Sequence, residues 1–117
     1  MNQRMYINYL STIYYLTSIY NENMDFDLKI SIKNIIKLLQ SEVSKYYIPP
    51  QDNKLKNFKV EDLSILELIT KSKQTMAIVG ELSNNIEIKK ESQITLEYLK
   101  MIYKKEKMEE GMRNDKY

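Results

Sequence analysis

The scarcity of helix-breaking residues is the feature that most restricts how this chain can fold. Its 117 residues include two glycines and two prolines, and the prolines are adjacent, as Pro49-Pro50. Folds made of short strands need frequent turns, which draw heavily on glycine and proline. The length suits one domain, and a hydrophobic fraction of 43% is enough to form a core. We therefore expect an all-α fold, a single-domain bundle of four to five helices formed by residues 1–117.

Hydrophobic residues at three- and four-residue spacing predict where these helices lie. The predicted helices span about 3–20, 28–47, 59–83 and 87–110, and residues 111–117 are expected to form a frayed tail. Either Asp25 or Asp27 can cap the second helix, and this helix should end near Tyr47, because Ile48 precedes a proline. The buried stripe of the fourth helix is predicted to consist of Ile94, Tyr98, Met101 or Ile102, Met108 and Met112.

The third predicted helix has a polar middle. Residues 70–75 include no hydrophobic side chain, so the segment is either one helix or two helices that meet there. We favour a break or kink, with Thr70 or Ser72 capping the second part. Asn84-Asn85 is expected to end the segment because Asn tolerates the left-handed conformation, and Gly111 is expected to end the fourth helix.

Missing residue types argue against most catalytic and metal chemistry. The chain contains no Cys and no His, so it lacks thiolate ligands and the commonest general base. It also lacks a glycine-rich phosphate loop, a nucleophile elbow and a zinc-protease motif. We expect no catalytic residue, no cofactor and no metal.

Two acidic features do not change this expectation. The alternation from Asn21 to Asp27 resembles the start of a calcium loop, but it lacks the central Gly and the final carboxylate of such loops, so helix caps explain it better. In the pairs Glu61-Asp62 and Glu109-Glu110, neighbouring side chains point in different directions, which is unsuitable for acid–base catalysis.

The N-terminal sequence lacks the apolar core of a signal peptide, and no run of 18 apolar residues occurs. We therefore expect a cytoplasmic protein with no membrane partner. The net charge of +2 is far from the strongly basic balance typical of nucleic-acid-binding proteins.

Tyrosines are concentrated in the first predicted helix. Its apolar side chains cover more of the circumference than one core-facing stripe needs, so either the helix is central or part of it contacts another protein. Tyrosine suits protein interfaces, because its ring is large and its hydroxyl tolerates water. The predicted partner-binding residues are Tyr6, Tyr9, Tyr14, Tyr15 and Tyr20, with Tyr46 and Tyr47 in the same candidate set. Tyrosines at the rim of a small core, or stacked on bases, are the alternatives.

Lysines recur along the second predicted helix. Lys29, Lys33 and Lys37 are four residues apart and share one helical face, which Lys45 continues. Between residues 28 and 50 the only acid is Glu42. This stripe could contact an acidic protein or a phosphate backbone, or it could be the solvated back of an amphipathic helix.

The leading functional hypothesis is a non-enzymatic module that binds a larger protein, to inhibit or bridge it, or that forms a homo-oligomer. Phages and plasmids encode small helical bundles of this kind, among them anti-CRISPR and bacteriocin-immunity proteins, so the hypothesis includes an analogy of size and class. The alternative is a helical subunit of a ribonucleoprotein such as a CRISPR effector complex, with nucleic acid contacted through the lysine stripe. A viral regulator of the Bcl-2-like type is a third hypothesis, but it would need a central helix that is apolar on nearly all faces.

Overall fold

The computed structural model describes residues 3–45 and 63–114, apart from the side chains of residues 110 and 112–114. Its elements are α1 (Gln3–Ile19), α2 (Phe26–Lys45), α3 (Ile65–Leu82) and α4 (Ile86–Asn114). The prediction of an all-α bundle is confirmed, with four helices in the described part of the chain.

The four helices pack in a square in which every adjacent pair is antiparallel. α1 and α4 each pack against both α2 and α3. Tyr9, early in α1, contacts Ser83 just after α3, and Asn85, just before α4, contacts Glu42 late in α2. The starts of α1 and α4 and the ends of α2 and α3 therefore meet at one end of the bundle, here called the base.

A single core lies between the helices. Its fully buried side chains come from all four of them, and each aliphatic side chain removed from water contributes roughly 1.5–3 kcal/mol. They are Leu16, Leu28, Ile32, Ile35, Leu39, Ile69, Met76, Val79, Ile88 and Leu99.

Hydroxyl side chains are also buried in this core. Ser31 of α2 and Thr95 of α4 are hydrogen-bonded across the α2–α4 seam, with 2.7 Å between their oxygens. The buried hydroxyls of Ser72 and Ser92 have no hydrogen-bond partner among the described residues. Small side chains let neighbouring helices approach closely, and a Cβ added at Gly80 would lie 3.1 Å from the Ser92 Cβ.

The two glycines give a matched test of this packing. Gly80→Ala should lower the free energy of unfolding by about 1 kcal/mol, because its new methyl group pushes α3 away from α4 and overpacking outweighs the gain in helix propensity. A methyl group at Gly111, also helical, would meet nothing within 4 Å, so Gly111→Ala should raise stability by about 0.5 kcal/mol. Urea unfolding measures both changes, and an equal stabilisation by the two variants would contradict the close α3–α4 contact.

The predicted break in the third helix is wrong, because α3 runs without interruption from Ile65 to Leu82. Its polar middle is accommodated by packing and by local hydrogen bonds. Ser72 is buried, the Thr70 hydroxyl donates to the Leu66 carbonyl, and the Lys73 ammonium lies 4.3 Å from the centre of the Tyr103 ring. Small hydroxyl side chains therefore take the place of aliphatic ones on the buried face.

The predicted start of this helix at residue 59 is also wrong, because Leu63 and Ser64 are not helical. Ser64 is the N-cap: its hydroxyl oxygen accepts the Glu67 N–H at 3.1 Å and donates to the Glu67 carboxylate at 3.2 Å. Ser followed three residues later by Glu is a recognised start signal. Residues 59–62 and the predicted end of the second helix at Tyr47 lie outside the described residues.

The other helix ends are partly as expected. Asp25 caps α2, since its carboxylate accepts the Asp27 N–H at 2.9 Å. The left-handed ending at Asn84-Asn85 is wrong, because no described residue has a positive φ. Asn85 instead caps α4 by accepting the N–H groups of Glu87 and Ile88.

Gly111 does not end α4, which continues to Asn114, since a single glycine costs a helix only about 1 kcal/mol. The frayed tail is thus wrong for residues 111–114, while residues 115–117 lie outside the described part.

Candidate functional site

The tyrosines of α1 do not form one outward-facing surface. Tyr9 and Tyr15 belong to the core, with 2% and 9% of their surface exposed, and burial raises the pKa of the Tyr15 hydroxyl. Tyr6 and Tyr20 are half-buried, and Tyr14 is exposed. The predicted partner-binding role therefore conflicts with the burial of Tyr9 and Tyr15, which cannot reach a partner while the bundle is folded.

The tyrosines of α1 are divided between its two neighbours, α2 and α3. Tyr9 points to the end of α3, where its hydroxyl donates to the Ser83 oxygen over 2.8 Å. Tyr20 faces α2, with its ring 5.5 Å from the Lys33 ammonium and its hydroxyl donating to the Glu22 carboxylate. Much of the aromatic surplus predicted from the sequence is thus used inside the bundle. Tyr46 and Tyr47 lie outside the described residues.

Most of the lysine stripe contacts groups of the chain itself. The Lys29 ammonium is 3.1 Å from both the carbonyl oxygen and the carboxylate of Glu22, and this ion pair lowers the pKa of Glu22. Lys33 lies over the Tyr20 ring, and Lys45 pairs with Glu42 at 3.2 Å. Lys37 is exposed on the same helix. The stripe is therefore not a row of four free cations.

The acidic alternation at the α1–α2 connection consists of local turns. The Asn21 side-chain oxygen accepts the Asn23 N–H at 2.9 Å, and Asp25 accepts that of Asp27. Within residues 3–45 and 63–114 no three acidic side chains are grouped so that they could hold a metal ion. Glu61, Asp62 and the side chain of Glu110 lie outside the described residues.

No helix in the described ranges combines the length and apolar character that membrane crossing requires.

A polar network at the base connects the helix ends and was not predicted from the sequence. The Asn85 side-chain amide donates to a Glu42 carboxylate oxygen over 2.8 Å, and Lys45 donates to the same oxygen. The Ser83 oxygen accepts the Tyr9 hydroxyl proton and the Asn85 N–H. Each member thus already has a partner within the chain, which favours a structural role for the network.

Glu42 makes the stability of this network depend on pH. The hydrogen bond from Asn85, assisted by Lys45, holds the pKa of the Glu42 carboxyl below its ordinary value of 4.5, against the opposing effect of burial. A depressed folded-state pKa stabilises the fold above the unfolded pKa, and this stabilisation is lost as the pH falls through the folded pKa. Glu42→Gln should therefore destabilise the protein near neutral pH, and the difference from wild type should shrink below pH 4.5.

Urea unfolding at several pH values measures this effect. Glu22→Gln is the control, since Glu22 pairs with Lys29 at the surface and its contribution should be small and screened by salt. A Glu42→Gln difference that stayed constant from neutral pH to pH 3 would contradict the assignment.

Large apolar side chains remain exposed on the outer faces of α2 and α4. They are Phe26 at 71%, Ile30 at 41%, Ile94 at 40%, Met101 at 65% and Met108 at 68% exposure, and together they are called the outer apolar surface.

Helix geometry places these five side chains on one side of the bundle. Ile30 and Ile94 each precede a member of the Ser31–Thr95 hydrogen bond, so they lie on either side of the α2–α4 seam, offset along it by about 3 Å. Phe26 is one turn from Ile30 on α2. Met101 and Met108 follow Ile94 at intervals of seven residues, which keeps them on one face of α4.

No family model, curated protein or solved structure matches this chain.

The α4 part of this surface is visible in the sequence as apolar residues at heptad spacing, but these residues were predicted to face the core. Of the predicted buried stripe of the fourth helix, Ile94, Met101 and Met108 are exposed, whereas Tyr98 and the alternative Ile102 are half-buried and pack against the core. The Met112 side chain lies outside the described residues. Ile88 and Leu99 form the buried face instead, together with the hydroxyl residues Ser92 and Thr95. α4 therefore has a second apolar stripe that its own bundle does not cover.

Proposed function

We propose that this protein is a non-catalytic interaction module that binds another protein, to inhibit it or to bridge it to further components. The observation that carries the proposal is the outer apolar surface, defined above by Phe26, Ile30, Ile94, Met101 and Met108. Exposed apolar residues scattered singly are ordinary, but several on one side of a small domain indicate an interaction site.

The chemistry of this surface suits a protein partner. Phe26 offers a large rigid ring of the kind that anchors interfaces, and the two methionines adapt their shape to a partner. Charged residues of both signs, including Asp27, Lys90 and Glu97, are exposed on the same two helices. An apolar centre with a polar rim of mixed sign is typical of protein interfaces.

The residue types also support a binding role over catalysis. Without Cys and His, the chain has neither a thiolate nucleophile nor an imidazole base. The carboxylate with a lowered pKa at the base, Glu42, is bonded to Asn85 and Lys45. The function therefore rests on surface shape and composition.

Phosphate binding has less support. Lys29 and Lys45, two members of the stripe, are paired with carboxylates of the same chain. Neutralising phosphates would require these ion pairs to open, and only the remaining lysines could contribute to salt-dependent affinity.

The test is affinity purification of the tagged protein from its native host, with and without nuclease, followed by mass spectrometry. We expect wild type to capture a host protein. The Phe26→Asp variant should bind that protein at least about tenfold more weakly, a change equivalent to about 1.4 kcal/mol. The control is Ile86→Asp. Ile86 is exposed too, and, like Phe26, it lies in the first turn of a helix, where an acid is favourable.

Capture of the same proteins by wild type and by variants at both Phe26 and Met101 would overturn the proposal. Complete loss of the captured proteins after nuclease treatment would favour the nucleic-acid alternative instead.

A further inference from the structure

The apolar stripe on α4 extends beyond the part of the helix that α2 flanks. α4 has 29 residues and α2 has 20, which correspond to about 44 and 30 Å at the usual rise. Ser31 lies opposite Thr95 and the two helices are antiparallel, so Phe26, at the start of α2, is level with about Lys100. Met101 and Met108 therefore lie on the part of α4 that extends past the start of α2, whereas Ile94 lies beside α2.

We propose that this stripe binds the same stripe of a second copy of the chain, with the two α4 helices antiparallel and Met101 at the twofold axis. The inference rests on the proposed function, because it names a partner for part of the outer apolar surface. In this register Met101 faces its own counterpart, and Ile94 of each copy faces Met108 of the other. Apolar residues that recur every seven positions supply one of the two seam positions of each heptad in such a helix pair.

The charges beside the stripe fit this register. Glu97 and Lys104 lie on the same flank of the stripe, seven residues apart, and both are exposed. An antiparallel pair centred on Met101 brings Glu97 of one copy next to Lys104 of the other, twice by symmetry. In the single chain Glu97 pairs with Lys100 at 3.3 Å on the surface, a weak contact that does not prevent an additional partner.

Antiparallel pairing also suits the shape of α4. It places the end of each α4, which extends past α2, beside the first half of the other helix, where Ile94 is exposed. The far end of the second α4 then lies towards the outer groove between α2 and α4, which is lined by Asn34, Leu38 and Glu91. The pairing thus covers the stripe over its whole length.

The size of the surface indicates a weak dimer. A standard interface buries roughly 800 Å² on each partner. The three apolar side chains of the stripe cannot supply that area by themselves. Pairing must also bury the half-exposed ring of Tyr98 and the aliphatic stems of the flanking lysines. We expect a dissociation constant on the order of ten micromolar.

The first experiment is sedimentation of the full chain across a concentration range of roughly 1–500 µM, which brackets that constant. Wild type should convert from monomer to dimer, and Met101→Glu should remain monomeric because two carboxylates would meet at the axis. Met101 is exposed, so its substitution should leave the thermal unfolding curve of the monomer unchanged. A wild type that is monomeric at the highest concentration overturns the inference.

The second experiment tests the register by exchanging charges. Glu97→Lys and Lys104→Glu should each weaken the dimer at least tenfold, because like charges then face each other. The double variant should recover the affinity, and an equimolar mixture of the two single variants should form a heterodimer. Dimers that respond to Met101→Glu but not to these exchanges overturn the register.

Cysteine cross-linking provides an independent readout, since the natural chain contains no Cys. Met101→Cys should form a disulfide-linked dimer on mild oxidation, whereas Gln93→Cys, exposed on another face of α4, should not. Equal cross-linking of the two variants would contradict the proposed axis.

The inference and the proposed function fail in different ways. If wild type is monomeric but captures a host protein that Phe26→Asp fails to capture, the homodimer is contradicted and the interaction module is supported. The converse result is a wild type that dimerises with the expected responses while the surface variants leave the set of captured proteins unchanged. That result would support the dimer and contradict binding of another protein through this surface.

Discussion

Leu16→Ala is expected to lower the free energy of unfolding by about 3–4 kcal/mol, the cost of a cavity in a close-packed core. Leu16 has no exposed surface and lies among the side chains that join α1 to the rest of the bundle. The loss combines the transfer free energy of the removed atoms with the contacts that the surrounding side chains no longer make. Small domains have a total stability of about 5–15 kcal/mol, so the variant should lose a large share of its stability.

The matched control is Leu82→Ala, which makes the same chemical change at a side chain that is 56% exposed, near the base. Its expected cost is below about 1 kcal/mol, because the atoms removed from Leu82 bury little apolar surface in the folded protein. Urea unfolding followed by circular dichroism, at a concentration low enough to keep the chain monomeric, gives both values. Equal costs for the two leucines would mean that Leu16 does not lie in the core.

Tyr9→Ala is expected to destabilise the protein by about 3–5 kcal/mol, as large-to-small changes of buried aromatic residues do. Tyr9 is 2% exposed, and its hydroxyl donates to the buried Ser83 oxygen. Tyr9→Phe keeps the ring and removes one hydrogen bond, so it should cost about 1 kcal/mol. Thermal and urea unfolding measure both variants.

This comparison also decides the role of the α1 tyrosines. If Tyr9 is a core residue, Tyr9→Phe should leave the affinity for any captured protein unchanged while it lowers stability. A variant that loses the partner at full stability would instead support the predicted role of Tyr9 in partner binding. Tyr14, which is exposed, is the comparison residue on the same helix.

Much of the fold could be predicted from local patterns. Near-absence of Gly and Pro indicated long helices, and three- and four-residue spacing located all four of them. The Asp25 cap was predictable because capping depends on a side chain and the backbone two residues away. The Ser64–Glu67 start signal was equally local, and it was missed because the apolar residues upstream of Ser64 extended the helical pattern.

The errors occurred where packing overrides local preference. Polar residues 70–75 suggested a break, yet a small hydroxyl such as that of Ser72 fits between closely packed helices without interrupting α3. Gly111 resembles a helix end in sequence, but one glycine in a long helix is a modest cost.

The candidate site was less predictable than the fold. Periodicity shows that apolar residues share a helical face, but it does not show which face points inward when a helix has two apolar stripes. On α4 the core selected Ile88 and Leu99 and left Met101 and Met108 outside. On α1 the error was the reverse, since Tyr9 and Tyr15 were predicted to contact a partner and are buried in the core.

Residue type and short-range spacing were thus enough to predict the helical class, the approximate positions of the helices and the lack of thiol and imidazole chemistry. The folded arrangement of the helices was needed to learn which apolar stripes are buried and which lysines are paired. Those properties depend on which helices become neighbours, and that is set by the combined packing of side chains far apart in the chain.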